Sequence, residues 1–302
     1  MAKDHFVPRA YLRGFTAGYL SGNKGGEIIV YKPAFGTSRR LSINEYVACE
    51  PEFYDNHPVD KEWSKTIEQK WPGVRQRLKD RKSDSTLLDD LFWFVAAQYI
   101  RTHSFMHQVA HRLALEKAKR NPVRLPGQEG HGLILDMTDT QDVMDVVQGL
   151  WPECRRRLER GYVWKVYHNS HSRRFLTSDD PCQVGDSRSQ SSFVVMPLAL
   201  DMTLVGRLLN SNEGPTFGHS NASIEIVGRI NRCAVRECRL YVYAHEETDE
   251  LRRFVKKNYV NRDPSFSGRN FTNDPEPADP EKVAKLVRRL EELRNRDKRT
   301  SA

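Results

Sequence analysis

The segment from Leu87 to Lys119 constrains this chain more than any other stretch. Its front half, LLDDLFWFVAAQYI, reads as a strongly apolar helix that has to be buried. The character then changes. Gln98 and Arg101 appear, followed by His103, His107 and His111 at four-residue spacing. A helix that passes so abruptly from apolar side chains to an amide, a guanidinium and three imidazoles is either solvated from that point or built around chemistry.

The elements around this helix set the fold class. His5, Phe6, Pro8, Tyr11, Leu12 and Phe15 form a dense aromatic opening. Pro8 suits the first turn of a helix, and Asp4 is a candidate cap. GYLSGNKGGEIIVYKP reads as a Gly-rich turn and then a strand through Ile28, Ile29, Val30 and Tyr31, which Pro33 ends. The GNKGGE stretch precedes a strand and lacks the Lys-Ser/Thr ending of a phosphate loop, so it is read as a turn. Asn44 to Tyr54 reads as a connection. Trp63, Ile67, Trp71, Val74 and Leu78 lie at helical spacing in a helix over Lys61 to Arg81, with Pro72 as a kink. The Pro- and Gly-rich NPVRLPGQEGHG reads as a loop or linker. A further helix is expected over Thr140 to Arg160.

From Gly161 the pattern alternates. GYVWKVYHNSHSRRFLTSDDP reads as a β-hairpin, SSFVVMPLALDMTLVGRLL as two short strands around Pro197, and CRLYVYAHE as another strand. A short helix over Gly228 to Arg236 separates them. The order predicts an α+β fold: a helix-rich first half with a long central helix, an antiparallel strand-rich second half, and no βαβ rhythm. Residues 1–262 are expected to form one domain. Residues 263–302 are expected to form a polar loop and a charged C-terminal helix over Pro280 to Lys298, whose thin stripe of Val283, Leu286, Leu290 and Leu293 suits a partner protein or a second copy.

The chain holds 48 Lys and Arg against 40 Asp and Glu, a formal charge of +8 over 302 residues. A basic surface favours a polyanion partner, because neutralising phosphates releases counterions. Five cysteines without a C-x-x-C pair make neither a disulfide framework nor a zinc ribbon. The N-terminus has no apolar run of the signal-peptide kind and no stretch suits a membrane span, so a cytoplasmic protein is expected.

HFVPRAYLRGF at residues 5 to 15 resembles the opening of the family named domain of unknown function 4238, with His5, Pro8, Tyr11, Leu12 and Phe15 filling its pattern. GEIIVYKP, PEFY, IEQKW with Glu68, AAQYIRT with Gln98, Arg101 and Thr102, FLTSDDP and MPLAL resemble later stretches of the same family in order. His103 departs from it, since proline usually follows the Arg-Thr pair there. A helix passing through that point is thereby easier here. The resemblance marks residues and supplies no reaction.

Three constellations carry candidate chemistry. Arg101 follows mainly apolar residues, so its head is expected to be partly buried and to need an anion. That anion is either a carboxylate such as Glu68, Asp179 or Asp180, or a substrate phosphate, which the planar fork fits well. The spacing of Arg101 and His107 resembles, at this motif alone, the Arg-x(4–6)-His signature of ribonucleases of the HEPN class. His107 would then move a proton at a ribose 2′-hydroxyl while Arg101 stabilises the phosphorane, without a metal or cofactor. His103, His107 and His111 span too long a rise to hold one ion together, and a solvated polar face is the simpler reading. The turn Thr177-Ser178-Asp179-Asp180-Pro181 is either a side-chain-bonded tight turn or a place where two carboxylates orient a base. His5 is a candidate polar group beside the aromatic opening.

The leading expectation is a cytoplasmic protein that acts on RNA or another phosphate-bearing ligand, as a metal-independent ribonuclease of defence or toxin type. Arg101, His107, His5 and Asp179 would be catalytic, with Gln98, Thr102, Ser178, Asp180 and Glu68 binding substrate in one cleft. The alternative is a non-enzymatic nucleic-acid or protein binding module in which Arg101 and Asp179 belong to a structural network.

Overall fold

A computed structural model describes residues 3–21, 26–44, 47–51, 54, 57–102, 105–106, 108–113, 140–185 and 193–260. The first strand, β1 (Lys3–His5), pairs antiparallel with β4 (Cys49–Pro51) as a two-stranded ribbon. Pro8 precedes the short helix α1 (Arg9–Leu12), and its carbonyl accepts the N–H groups of Tyr11 and Leu12. β2 (Glu27–Lys32) and β3 (Thr37–Ser42) form a hairpin whose bend contains Gly36 at φ +63°, a left-handed conformation that glycine adopts without a Cβ clash. The helical layer follows with α2 (Pro58–Trp63), a π-helical turn (Ser64–Glu68), α3 (Trp71–Lys79), α4 (Ser85–Ile100) and α5 (Thr140–Gly161).

The second half holds β5 (Tyr162–His168), β6 (Thr177–Ser178), β7 (Gln183–Gly185), β8 (Phe193–Ala199), β9 (Met202–Leu208), β10 (Phe217–Asn221), α6 (Ile224–Glu237), β11 (Val242–Ala244) and α7 (Asp249–Asn258). Ser223 and Thr248 cap the last two helices by accepting the N–H groups of Ile226 and Leu251. Two larger sheets result, one ordered β10-β5-β9-β8-β7 and one ordered β3-β2-β11-β6. The chain is therefore α+β, as its element order predicts.

Tyr11 joins the layers. Its ring lies 5.2 Å from that of Phe15 and 6.1 Å from that of Phe94, while Phe94 stacks on Trp71 at 3.8 Å. Its hydroxyl, fully buried, bonds Thr177 Oγ1 at 2.7 Å and donates to the Pro197 carbonyl at 2.5 Å, so α1 is tied to a strand of each large sheet. Burial drives the Tyr11 pKa far up, with the Thr177 hydroxyl opposing, and the phenol stays protonated.

The structure corrects several expectations. The long central helix stops at Ile100: Arg101 takes φ −88° and ψ 2°. Thr102 Oγ1 then accepts the N–H of Phe105 at 3.3 Å and starts a second helical stretch, described at 105–106 and 108–113. The expected helix over Lys61 to Arg81 is three pieces, and Pro72 opens α3, where its missing N–H costs nothing, instead of kinking it. β5 and β6 are not a hairpin, because β5 pairs with β9 and β10 and β6 pairs with β11. The second half is not wholly antiparallel, since β10 runs parallel to β5. Pro197 lies inside β8 at an irregularity of its register with β9. The expected linker at 121–132 and the C-terminal helix from Pro280 lie outside the described residues. Among the described residues no helix is long and apolar enough to cross a membrane, and the five cysteines are free thiols.

Candidate functional site

The break after Ile100 aims the Arg101 side chain into protein. Its guanidinium is 1 % exposed. Nε donates to Tyr54 Oη at 2.8 Å, one terminal nitrogen donates to Glu68 Oε1 at 2.6 Å, and the other donates to the His5 carbonyl. Asp60 Oδ1 lies 3.9 Å away. The rings of Trp63 and Tyr54 face the guanidinium at 5.2 and 5.5 Å, within cation–π range. Burial works against the charge, but Tyr54 and Glu68 outweigh it, and the net shift of the Arg101 pKa is upward. The glutamate arrives through the π-helical turn, and the tyrosine from the connection that follows β4. His5 joins this group through its backbone. Its imidazole Nε2 accepts from Arg9 Nε at 2.9 Å.

Asp179 is held differently. Its carboxylate accepts three successive backbone N–H groups, from Arg239 at 2.9 Å, Leu240 at 2.7 Å and Tyr241 at 3.1 Å. These are the free amides where α6 gives way to β11, so the side chain fills a concavity that would otherwise attract an anion. Burial pushes its pKa up to about 7, the N–H groups of Leu240 and Arg239 pull it down, and neighbouring Asp180 adds to the rise. Ser178 Oγ donates to the Asp180 carbonyl at 2.8 Å, and Gln183 Nε2 reaches the same carbonyl at 3.2 Å. The turn thus uses its own hydroxyl to fix its backbone.

The structure brings Arg101, Glu68 and the His5 carbonyl into one network and ties Ser178, Asp179 and Asp180 into a second. Thr102 is a helix cap. Gln98 is fully buried on α4, and neither of its amide atoms has a hydrogen-bond partner among the described residues. His103 and His107 lie outside the described residues, and His111 is exposed. Among the described residues no group of three or more His, Cys, Asp or Glu stands close enough to hold a metal.

Sequence reasoning singled out neither Tyr54 as the acceptor for Arg101 nor His57. The latter, 5 % exposed, caps α2 and meets Asp145 of α5 at 3.0 Å. A histidine directly before a Pro-led helix was the available signal. Two cavities also went unforeseen. One of about 350 Å³ lies between α6 and α7 beside His245 and Asn231. The other, of about 680 Å³, lies on the β3-β2-β11 part of the four-stranded sheet. Its walls include Lys32, Arg39, Tyr241 and Tyr243. Their signal was alternation on separate strands, visible only once the strands are paired.

No curated protein and no solved structure matches this chain. The family described as "Protein of unknown function (DUF4238)" matches residues 3–248, a span that contains β1, Tyr11, Arg101 and the 177–181 turn. The chain belongs to that family.

Proposed function

We propose that this chain is a cytoplasmic binding protein for a phosphate-bearing ligand, RNA foremost, and that Arg101 and Asp179 serve its scaffold instead of a reaction. The observation that carries this reading is the burial of Arg101, whose three nitrogens each already donate to a protein acceptor, Tyr54, Glu68 or the His5 carbonyl, at 1 % exposure. An arginine that stabilises a phosphorane has to present free N–H groups to the reacting phosphate. Spending them on protein acceptors suits a structural ion pair. The formal charge of +8 supplies attraction to a polyanion without a dedicated catalytic fork.

The test is incubation of the purified chain with mixed RNA at low and moderate salt, with and without EDTA, alongside Arg101→Lys and His107→Ala. Binding that weakens steeply with salt, with RNA left intact, is the expected result. Cleavage that survives EDTA and disappears in both variants overturns the reading in favour of a metal-independent ribonuclease. Cleavage abolished by EDTA overturns it in favour of a metal nuclease.

A further inference from the structure

The cavity on the four-stranded sheet has the chemistry of an anion site. Register sets Val30 opposite Arg39 and Lys32 opposite Thr37 across the β2–β3 hairpin, and Tyr243 beside Val30 across β2–β11. With side chains alternating along each strand, Lys32, Arg39, Tyr241 and Tyr243 share one face. The cavity they line measures about 680 Å³, within the range of small-ligand pockets. Lys32 and Arg39 are both exposed, and among the described residues no carboxylate pairs with either. Glu247, which reaches this hairpin at Ser38, is already engaged: it accepts from Ser38 and from Arg252, the latter at 2.8 Å.

Two aromatic features complete the site. The Lys32 ammonium lies 5.6 Å from the centre of the Tyr241 ring, and the Tyr241 and Tyr243 rings run nearly parallel at 6.4 Å. Tyr243 is fully buried, yet its hydroxyl has no hydrogen-bond partner among the described residues. Two exposed cations and a half-buried aromatic ring around one hollow suit a ligand that is anionic at one end and flat at the other.

We infer that this cavity seats a mononucleotide-sized ligand, free or at the end of an RNA strand, with its phosphate held by Lys32 and Arg39 and its base packed on Tyr241. The inference rests on the binding reading above and names its site. Uridine 5′-monophosphate, inorganic phosphate and a ten-nucleotide single-stranded RNA serve as probes, by calorimetry and by fluorescence anisotropy. The proteins compared are the full chain, Lys32→Ala/Arg39→Ala, and the control Arg253→Ala/Lys256→Ala, which removes the same charge from the exposed face of α7. Loss of two charge-assisted contacts weakens the mononucleotide by at least about tenfold, and the control leaves it unchanged.

If mononucleotide and RNA bind the cavity variant as tightly as the full chain, the site assignment fails and the binding reading stands. If the control weakens binding equally, the attraction is diffuse and the site assignment fails. If RNA alone binds, weakened in the cavity variant, the site takes strand ends and not free nucleotides. If the unaltered chain binds neither probe, or cuts the RNA, the binding reading fails as well.

Discussion

Replacing Arg101 by methionine keeps much of the side-chain volume and removes the charge. The change takes one donor each from the Glu68 carboxylate, the Tyr54 hydroxyl and the His5 carbonyl, at a site where the guanidinium was 1 % and the glutamate 20 % exposed. Removing one partner of a buried pair costs about 3–5 kcal/mol. Glu68 retains some water, so the lower end, about 3 kcal/mol, is expected for Arg101→Met. That is a large share of a typical total stability of roughly 5–15 kcal/mol. Adding Glu68→Gln removes the stranded charge, and the double variant should recover about 1–2 kcal/mol of the loss. Urea unfolding followed by tryptophan fluorescence reads all four corners of the cycle, with Trp63 beside the guanidinium as a local reporter. A loss below about 1 kcal/mol for Arg101→Met, with no recovery in the double variant, would refute the structural assignment. The folded double variant should also bind RNA like the parent, which separates scaffold from site.

Gln98→Met should stabilise the protein by about 1–3 kcal/mol, since it removes a fully buried amide without partners; a destabilised variant in denaturant melts would mean that the amide is satisfied. His168, whose Nε2 meets His219 Nδ1 at 3.0 Å, has its pKa lowered from 6.5 to about 4 by burial, then by Arg81 and His219, with Asp201 opposing. Its neutral form is the folded one, so the unfolded chain binds the extra proton and stability falls as pH drops from 6.5 towards 4. With solvent screening at this half-exposed group, the loss should be about 1–2 kcal/mol, and His168→Gln should show that much less acid destabilisation than the parent in matched melts at pH 7 and 4.5; equal slopes would sink the assignment. Arg81 sits at φ +57° just past α3, where its N–H and that of Lys82 close a helix-ending motif on Leu78 and Arg77. Arg81→Gly should relieve that backbone, raise stability by about 0.5–1 kcal/mol and move the His168 pKa upward in an NMR titration; no movement would remove Arg81 from the causes of the shift.

Much of the local structure was legible because it depends on neighbours in sequence. Pro8 at the head of α1, the apolar run of α4 and the helix over residues 140–160 all follow from spacing and caps. The burial of Arg101 also followed, since an apolar run leads straight into it, and Glu68 was a named candidate partner. The break after Ile100 was not legible. No glycine or proline marks it, and it comes from Thr102 offering its hydroxyl to Phe105 in place of a continued helix. Strand pairing was equally hidden. Alternation identifies β5 and the chain leading to β6 as extended, but it says nothing of whether they meet each other or distant strands. The cavity residues were the least visible, because Lys32 and Arg39 are ordinary strand residues and Tyr241 merely precedes a strand until three strands align them. The partners of Asp179 were hidden for a related reason: its carboxylate accepts backbone amides, which carry no sequence signature.

The order β3-β2-β11-β6 has a consequence for biosynthesis. The early hairpin emerges from the ribosome with one edge bare, and the strand that covers it, Val242–Ala244, is translated some two hundred codons later. Through that interval a nascent chain displays Ile29 and Tyr31 without the apolar neighbours that later bury them. Such a polypeptide cannot be completed in instalments. The four-stranded sheet closes only once residues 242–244 are made, and a premature stop before residue 242 should yield a sticky, chaperone-dependent fragment.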